Sequence, residues 1–251
     1  MIEIINSIFS DFDLLWAGIA CIFLGMSKAG IKGIGVLVVL LMAFVFESKP
    51  STGVLIPLMI LADVMAVNHY HRHAQWNYLF KLLPAMCVGV LFGVWFGQSI
   101  SEALFKQLMA AFILLTILIM VGLDQAKKRN IPNNVFFSGG MGLLSGFTSM
   151  IGNLAGSFAN IYFLAMRLPK NEFIGTAAWL FFMINVFKLP FHIFSWKTVT
   201  TESLKIDLFL TPFVFIGFYL GIKVVERINN DAYRKFILFV TGLGAIFILF
   251  K

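Results

Sequence analysis

Two lysines interrupt an apolar stretch where the backbone also turns glycine-rich: GMSKAGIKGIG, residues 25–35, with Lys28 and Lys32. A second break, GFTSMIGNLAGS at 146–157, carries hydroxyls and an amide in place of cations. Two more ionisable side chains lie deep in apolar runs. Asp63 sits within LIPLMILADVMAVN and reads as the only acidic residue deep in a span. Lys188 sits within WLFFMINVFKLPFHI, three residues after Asn185 and on the same helix face. Ammonium groups, hydroxyls, an amide and free backbone N–H groups are all donors, and what they share is affinity for an anion. A carboxylate among them carries a proton or orients a base. The competing readings stay open: Asp63 and Lys188 pair with each other, Lys28 lies in a loop between two full spans, and the glycines and serines serve helix packing.

The elements that position these groups follow from composition. The chain has 251 residues, of which 60% are apolar and 12% charged, with 29 phenylalanines. Its mean hydropathy is +0.92. These values exclude an ordinary soluble domain, and continuous apolar runs exclude a β-barrel. An all-α polytopic membrane protein remains. The net charge of +7 falls mostly in short loops, which signals topology and not nucleic acid. Cys21 and Cys87 read as buried small side chains, and the acidic start MIEIINSIFSDFD lacks the basic region of a signal peptide. No Walker A loop, GxSxG or HExxH appears, so no enzyme and no cofactor is expected. HYHRH at 69–73 resembles a metal cluster in composition only, and no metal site is expected there.

Ten apolar segments are readable, at 14–26, 33–46, 52–69, 78–98, 103–123, 135–150, 154–166, 173–194, 206–225 and 232–250. Segments 14–26, 33–46, 135–150 and 154–166 are short, reaching only about 20 Å against about 30 Å of hydrocarbon. They form two pairs, each joined by a glycine-rich break. Pro84, Gly89 and Gly93 recur 128 positions later as Pro212, Gly217 and Gly221; Gly25 and Gly35 recur 121 later as Gly146 and Gly156. Asp63 recurs 122 later as Asn185. A collinear series of this kind is an internal repeat, here residues 1–126 and 127–251. Five segments per repeat is an odd number, so the halves enter the membrane in opposite senses. The excess of basic residues, KKR at 127–129 above all, places both termini outside.

If the short segments do not span, their junctions meet near the midplane. Helix N-termini at Gly35 and Gly156 then supply partial positive charge and free N–H groups. Ser27, Thr148, Ser149, Asn153 and Ser157 add neutral donors, Gly33 permits close approach, and Lys28 adds a full charge. Lys188 would contact the anion, with Asp63 as the proton-coupling candidate.

The second half resembles the sulfite exporter TauE/SafE family, also called the toluene-sulfonate uptake permease family. The likeness lies in a Gly/Asn-rich break, a YFLAM segment, PK-x-E-F, GT-x-x-W and N-x-x-K-x-P. Here those are Asn153, Gly156, Tyr162, Pro169, Lys170, Gly175, Thr176, Trp179, Asn185, Lys188 and Pro190. The first half matches through Gly25, Lys28, Gly30, Gly33 and Gly35, without the family's Gly-Gly pair and following Pro. Ser157 stands where many members have Pro. The resemblance adds Thr176 and Trp179 to the candidate site. It implies multi-pass secondary transport of a small sulfur-containing anion across the bacterial inner membrane. Membrane lipids are then obligatory partners, a proton is a candidate coupling ion, and a homodimer is left open. A passive anion channel and a membrane scaffold are the alternatives.

Overall fold

The computed structural model describes residues 11–125, 135–229 and 232. KKR at 127–129, the tenth apolar segment and both termini lie outside those residues. Among the described residues there are nine α-helices and no strand. They are α1 (Asp11–Lys28), α2 (Gly35–Phe46), α3 (Ser48–Tyr70), α4 (Trp76–Gln98), α5 (Glu102–Gln125), α6 (Val135–Gly152), α7 (Ala155–Ala165), α8 (Lys170–Pro190) and α9 (Thr201–Glu226). Among the described residues, five helical stretches are long and apolar enough to cross a membrane, containing α3, α4, α6, α8 and α9.

Local sequence explains the ends that matter. Thr200 caps α9, accepting from the Ser203 N–H at 3.1 Å while the Ser203 hydroxyl accepts from the Thr200 N–H at 2.9 Å. Glu102 of α5 takes the Ser48 N–H at 2.8 Å, so a carboxylate caps the start of α3. Pro190 ends α8, and a π-turn at Phe191–Ser195 follows.

Two helix contacts are extensive: α1 lies along α9, and α4 lies along α6. Both rest on glycine. A methyl at Gly25 would strike the Val214 carbonyl, and one at Gly217 would strike the Ile22 carbonyl. In the same way Gly146 abuts the Met86 carbonyl and Gly89 the Leu143 carbonyl. With no hydrophobic drive between helices in lipid, such backbone approach supplies the van der Waals gain. Between these pairs α3 packs on α8. Outward-facing Phe92, Trp95, Phe136, Leu208 and Tyr219 leave a broad apolar belt that suits lipid, not water.

The expected lengths need one correction. The segments at 14–26 and 135–150 are not short helices: α1 and α6 each hold 18 residues, or about 27 Å. Helical hydrogen bonding does not stop where apolar letters stop, so Ser27, Lys28, Ile151 and Gly152 stay in helix. Among the described residues only α2 and α7, with 12 and 11 residues, are short.

Candidate functional site

The first break is a glycine turn. Gly30 has φ +125°, which lets the Gly30 N–H reach the Ser27 carbonyl at 3.3 Å and the Ile31 N–H reach Met26 at 3.0 Å. These two bonds close the end of α1. Gly33, at φ +97°, then turns the chain into α2. At the second break Asn153 holds φ +56°, a conformation that asparagine tolerates better than most residues. The Leu154 N–H returns to the Thr148 carbonyl at 3.1 Å, and α7 begins one residue later.

Neither short helix has a side-chain cap at its start. Backbone carbonyls take some of their first N–H groups: Val36 donates to Gly33 at 3.4 Å, Leu37 to Ile34 at 3.0 Å and Ser157 to Leu154 at 3.0 Å, which leaves the N–H groups of Gly35, Ala155 and Gly156 without a partner among the described residues. Both starts line one cavity of about 80 Å³, enough for a small polyatomic ion. Around it stand Ser27, Lys28, Lys32, Gly33, Gly35, Asn153, Gly156, Ser157, Asn160, Phe181 and Asn185.

Charge in this cavity is unevenly matched. Lys28 Nζ donates to Asp63 Oδ1 at 2.6 Å, and Asn185 Nδ2 donates to Asp63 Oδ2 at 2.6 Å. Asp63 is wholly buried, so its charge needs that pairing. Lys32 is also buried, yet its ammonium reaches only the Ser27 carbonyl, at 3.3 Å, and makes no ion pair among the described residues. The Phe181 ring lies near both ammonium groups, 5.1 Å from Lys28 and 5.6 Å from Lys32. Asn160 sits beside Gly156 with its side-chain oxygen buried and unpartnered.

The remaining expected residues lie elsewhere. Lys188 does not line the cavity. It stands behind the wall, fully buried, donating to the Ser149 carbonyl and to Asn153 Oδ1, both at 2.9 Å. Asn153 in turn donates to the Thr52 carbonyl at 3.1 Å, which braces the second break between α3 and α8. Asp63 pairs with Lys28 and not with Lys188, because α1 ends against α3 while Lys188 reaches α6. Thr148 and Ser149 are in the last turns of α6, not in the break; the Thr148 hydroxyl donates to the Leu144 carbonyl at 2.8 Å. Thr176 accepts the Gln75 N–H at 2.9 Å, and Trp179 packs on Trp76 with ring centroids 5.3 Å apart. Both serve the loop after α3, away from the cavity.

The sequence shows Lys32 in the first break without pointing to a role for it, and it does not single out Asn160 or Phe181. Spacing held the signal: Asn160 is one turn beyond Gly156, and Phe181 one turn before Asn185. Asp63 is also not alone, since Asp207 on α9 is buried, with neither oxygen partnered among the described residues.

A family model described as sulfite exporter TauE/SafE matches residues 17–248. The chain belongs to the TauE/SafE family. TauE/SafE proteins are membrane transporters, which fits the apolar helices and lipid-facing belt of this one. No curated protein and no solved structure matches it. Within this TauE/SafE chain, the family motif residues Asn153, Gly156 and Asn185 line the cavity, whereas Thr176 and Trp179 do not.

Proposed function

We propose that this chain is a secondary transporter that binds a small sulfur-containing anion between its two breaks. The observation that carries the reading is the convergence on one cavity of two helix N-termini without side-chain caps, with the free N–H groups of Gly35, Ala155 and Gly156, and of Lys32, a buried lysine with no carboxylate partner among the described residues. An oxyanion satisfies all of these donors together. Asn160, Ser157 and Asn185 add neutral contacts.

The transport cycle in this reading uses two inverted repeats, 1–126 and 127–251, with both termini periplasmic in the inner membrane. Its support is the exchange pattern of the contacts. The first helix of each half lies along the fourth helix of the other, α1 on α9 and α6 on α4. The repeat mates Asp63 and Asn185 meet at 2.6 Å. Rocking one half against the other would open the cavity to each side in turn.

The test is tracer exchange in proteoliposomes preloaded with sulfite, thiosulfate, taurine or sulfoacetate. A carrier shows uptake accelerated by substrate inside. A channel with the same cavity shows flux that follows the gradient and ignores the internal pool. Lys32→Gln should weaken half-saturation about tenfold or more, the scale of one lost charge-assisted bond.

A further inference from the structure

Resting on the anion reading, the geometry of Asp63 says what else the site binds. Its two oxygens each hold a group that lines the cavity: Lys28 on one, Asn185 on the other. While Asp63 is ionised, the charge of Lys28 is spent inside the protein. The carboxylate also repels any anion that shares Lys28. Lys28 from α1 and Asn185 from α8 touch Asp63, while Lys32 from the first break and Lys188 from α8 act on it only through their charge, with buried His192 one turn beyond Lys188. All of the charged ones among these are cations, so among the described residues no second carboxylate competes for a proton there.

We propose that Asp63 is the coupling residue of the carrier, taking up one proton with each anion. Water in the cavity delivers the proton to Oδ1. The ionic bond to Lys28 loosens, and the ammonium turns to the ligand beside Lys32. When the anion leaves, Lys28 returns to the carboxyl and the proton goes back to water. Binding free energies are reciprocal, so the anion favours the proton as much as the proton favours the anion. The carrier is then a proton–anion symporter whose stoichiometry is set by one carboxyl group. Lys188, held by neutral acceptors behind the wall, takes no part.

The experiment compares the full chain with Asp63→Asn in proteoliposomes, with sulfite as the probe. At equal pH on both sides, sulfite exchange should remain measurable in both. With vesicles one pH unit more alkaline inside, sulfite's own ionisation affects both proteins alike, so the variant supplies the baseline. The unmodified chain should accumulate up to about tenfold more sulfite than that baseline, the effect of one coupled proton per pH unit. Equal accumulation by the two, with exchange intact, overturns the coupling alone. Absence of sulfite exchange by the unmodified chain removes the functional reading and the coupling with it. The double variant Lys28→Gln/Asp63→Asn guards against misfolding, since it leaves no unpaired charge. Because it also removes an anion ligand, its sulfite exchange is first shown at saturating sulfite; with exchange present no pH-driven excess is expected, and a full excess there overturns the proposal.

Discussion

The two breaks solve the same problem with different chemistry. Each ends one helix, reverses the chain and starts a short helix at the cavity. Each also carries a buried ammonium close behind. At the first break six residues intervene between α1 and α2, and Lys28 is matched by a carboxylate. At the second only two residues intervene between α6 and α7, and Lys188 is matched by a carbonyl and an amide oxygen. The carbonyl is at the C-terminal end of α6, where the helix dipole favours a cation. A counter-charge can be cancelled by a proton, but a carbonyl cannot. In the proposed coupling the first break is therefore the one that changes state, while the second holds still.

Substitution at the two lysines should break the comparison most visibly. Lys28→Ala leaves the Asp63 carboxylate buried and unpaired, a cost of about 3–5 kcal/mol. Thermal unfolding in detergent should show a large drop, and adding Asp63→Asn should recover most of it. Lys188→Ala removes a charged donor from two acceptors and should cost about 2–3 kcal/mol. Here Asp63→Asn should recover nothing, and recovery in that double variant would restore the Asp63–Lys188 pairing. Next comes Gly30→Ala. Its φ of +125° and an Ile174 Cδ1 only 2.7 Å from a built methyl predict a loss of about 1–3 kcal/mol. The smallest effect belongs to Gly156→Ala, below about 1 kcal/mol, because the nearest atom is the flexible Asn160 amide at 3.3 Å. Its mark should be a raised half-saturation for the transported anion, and an unchanged value would argue that α7 does not face the ligand.

Much of this was legible in the letters, and the losses have definite causes. The helical membrane class follows from continuous apolar runs, which leave the backbone no other way to satisfy its hydrogen bonds. Gly30, Gly33 and Asn153 marked the breaks because few residues tolerate positive φ. Helix ends were harder: α1 and α6 run on through Ser27, Lys28 and Gly152, where polarity and helical bonding part company. Pairing between helices was harder still. Spacing shows that Asn185 and Lys188 share a face, but not which helix lies opposite. Lys28 was therefore recognised as a charge in the break without its partner, Asp63. Asn160 and Phe181 lay inside apolar runs, where one-dimensional pattern does not separate a cavity wall from a lipid face. Asp207 was hidden for the same reason.

The glycine contacts between halves bear on how the chain is made. Val214 follows Gly25 by 189 positions, so α1 leaves the ribosome long before the surface it fits. At about 5–20 residues per second, roughly 10–40 s of synthesis separate the two. During that interval α1 is a nascent helix without its partner, and α4 waits a shorter time for α6. Until the ninth helix arrives, α1 has α2 and α3 to pack on, and lipid covers the glycine face that α9 later takes.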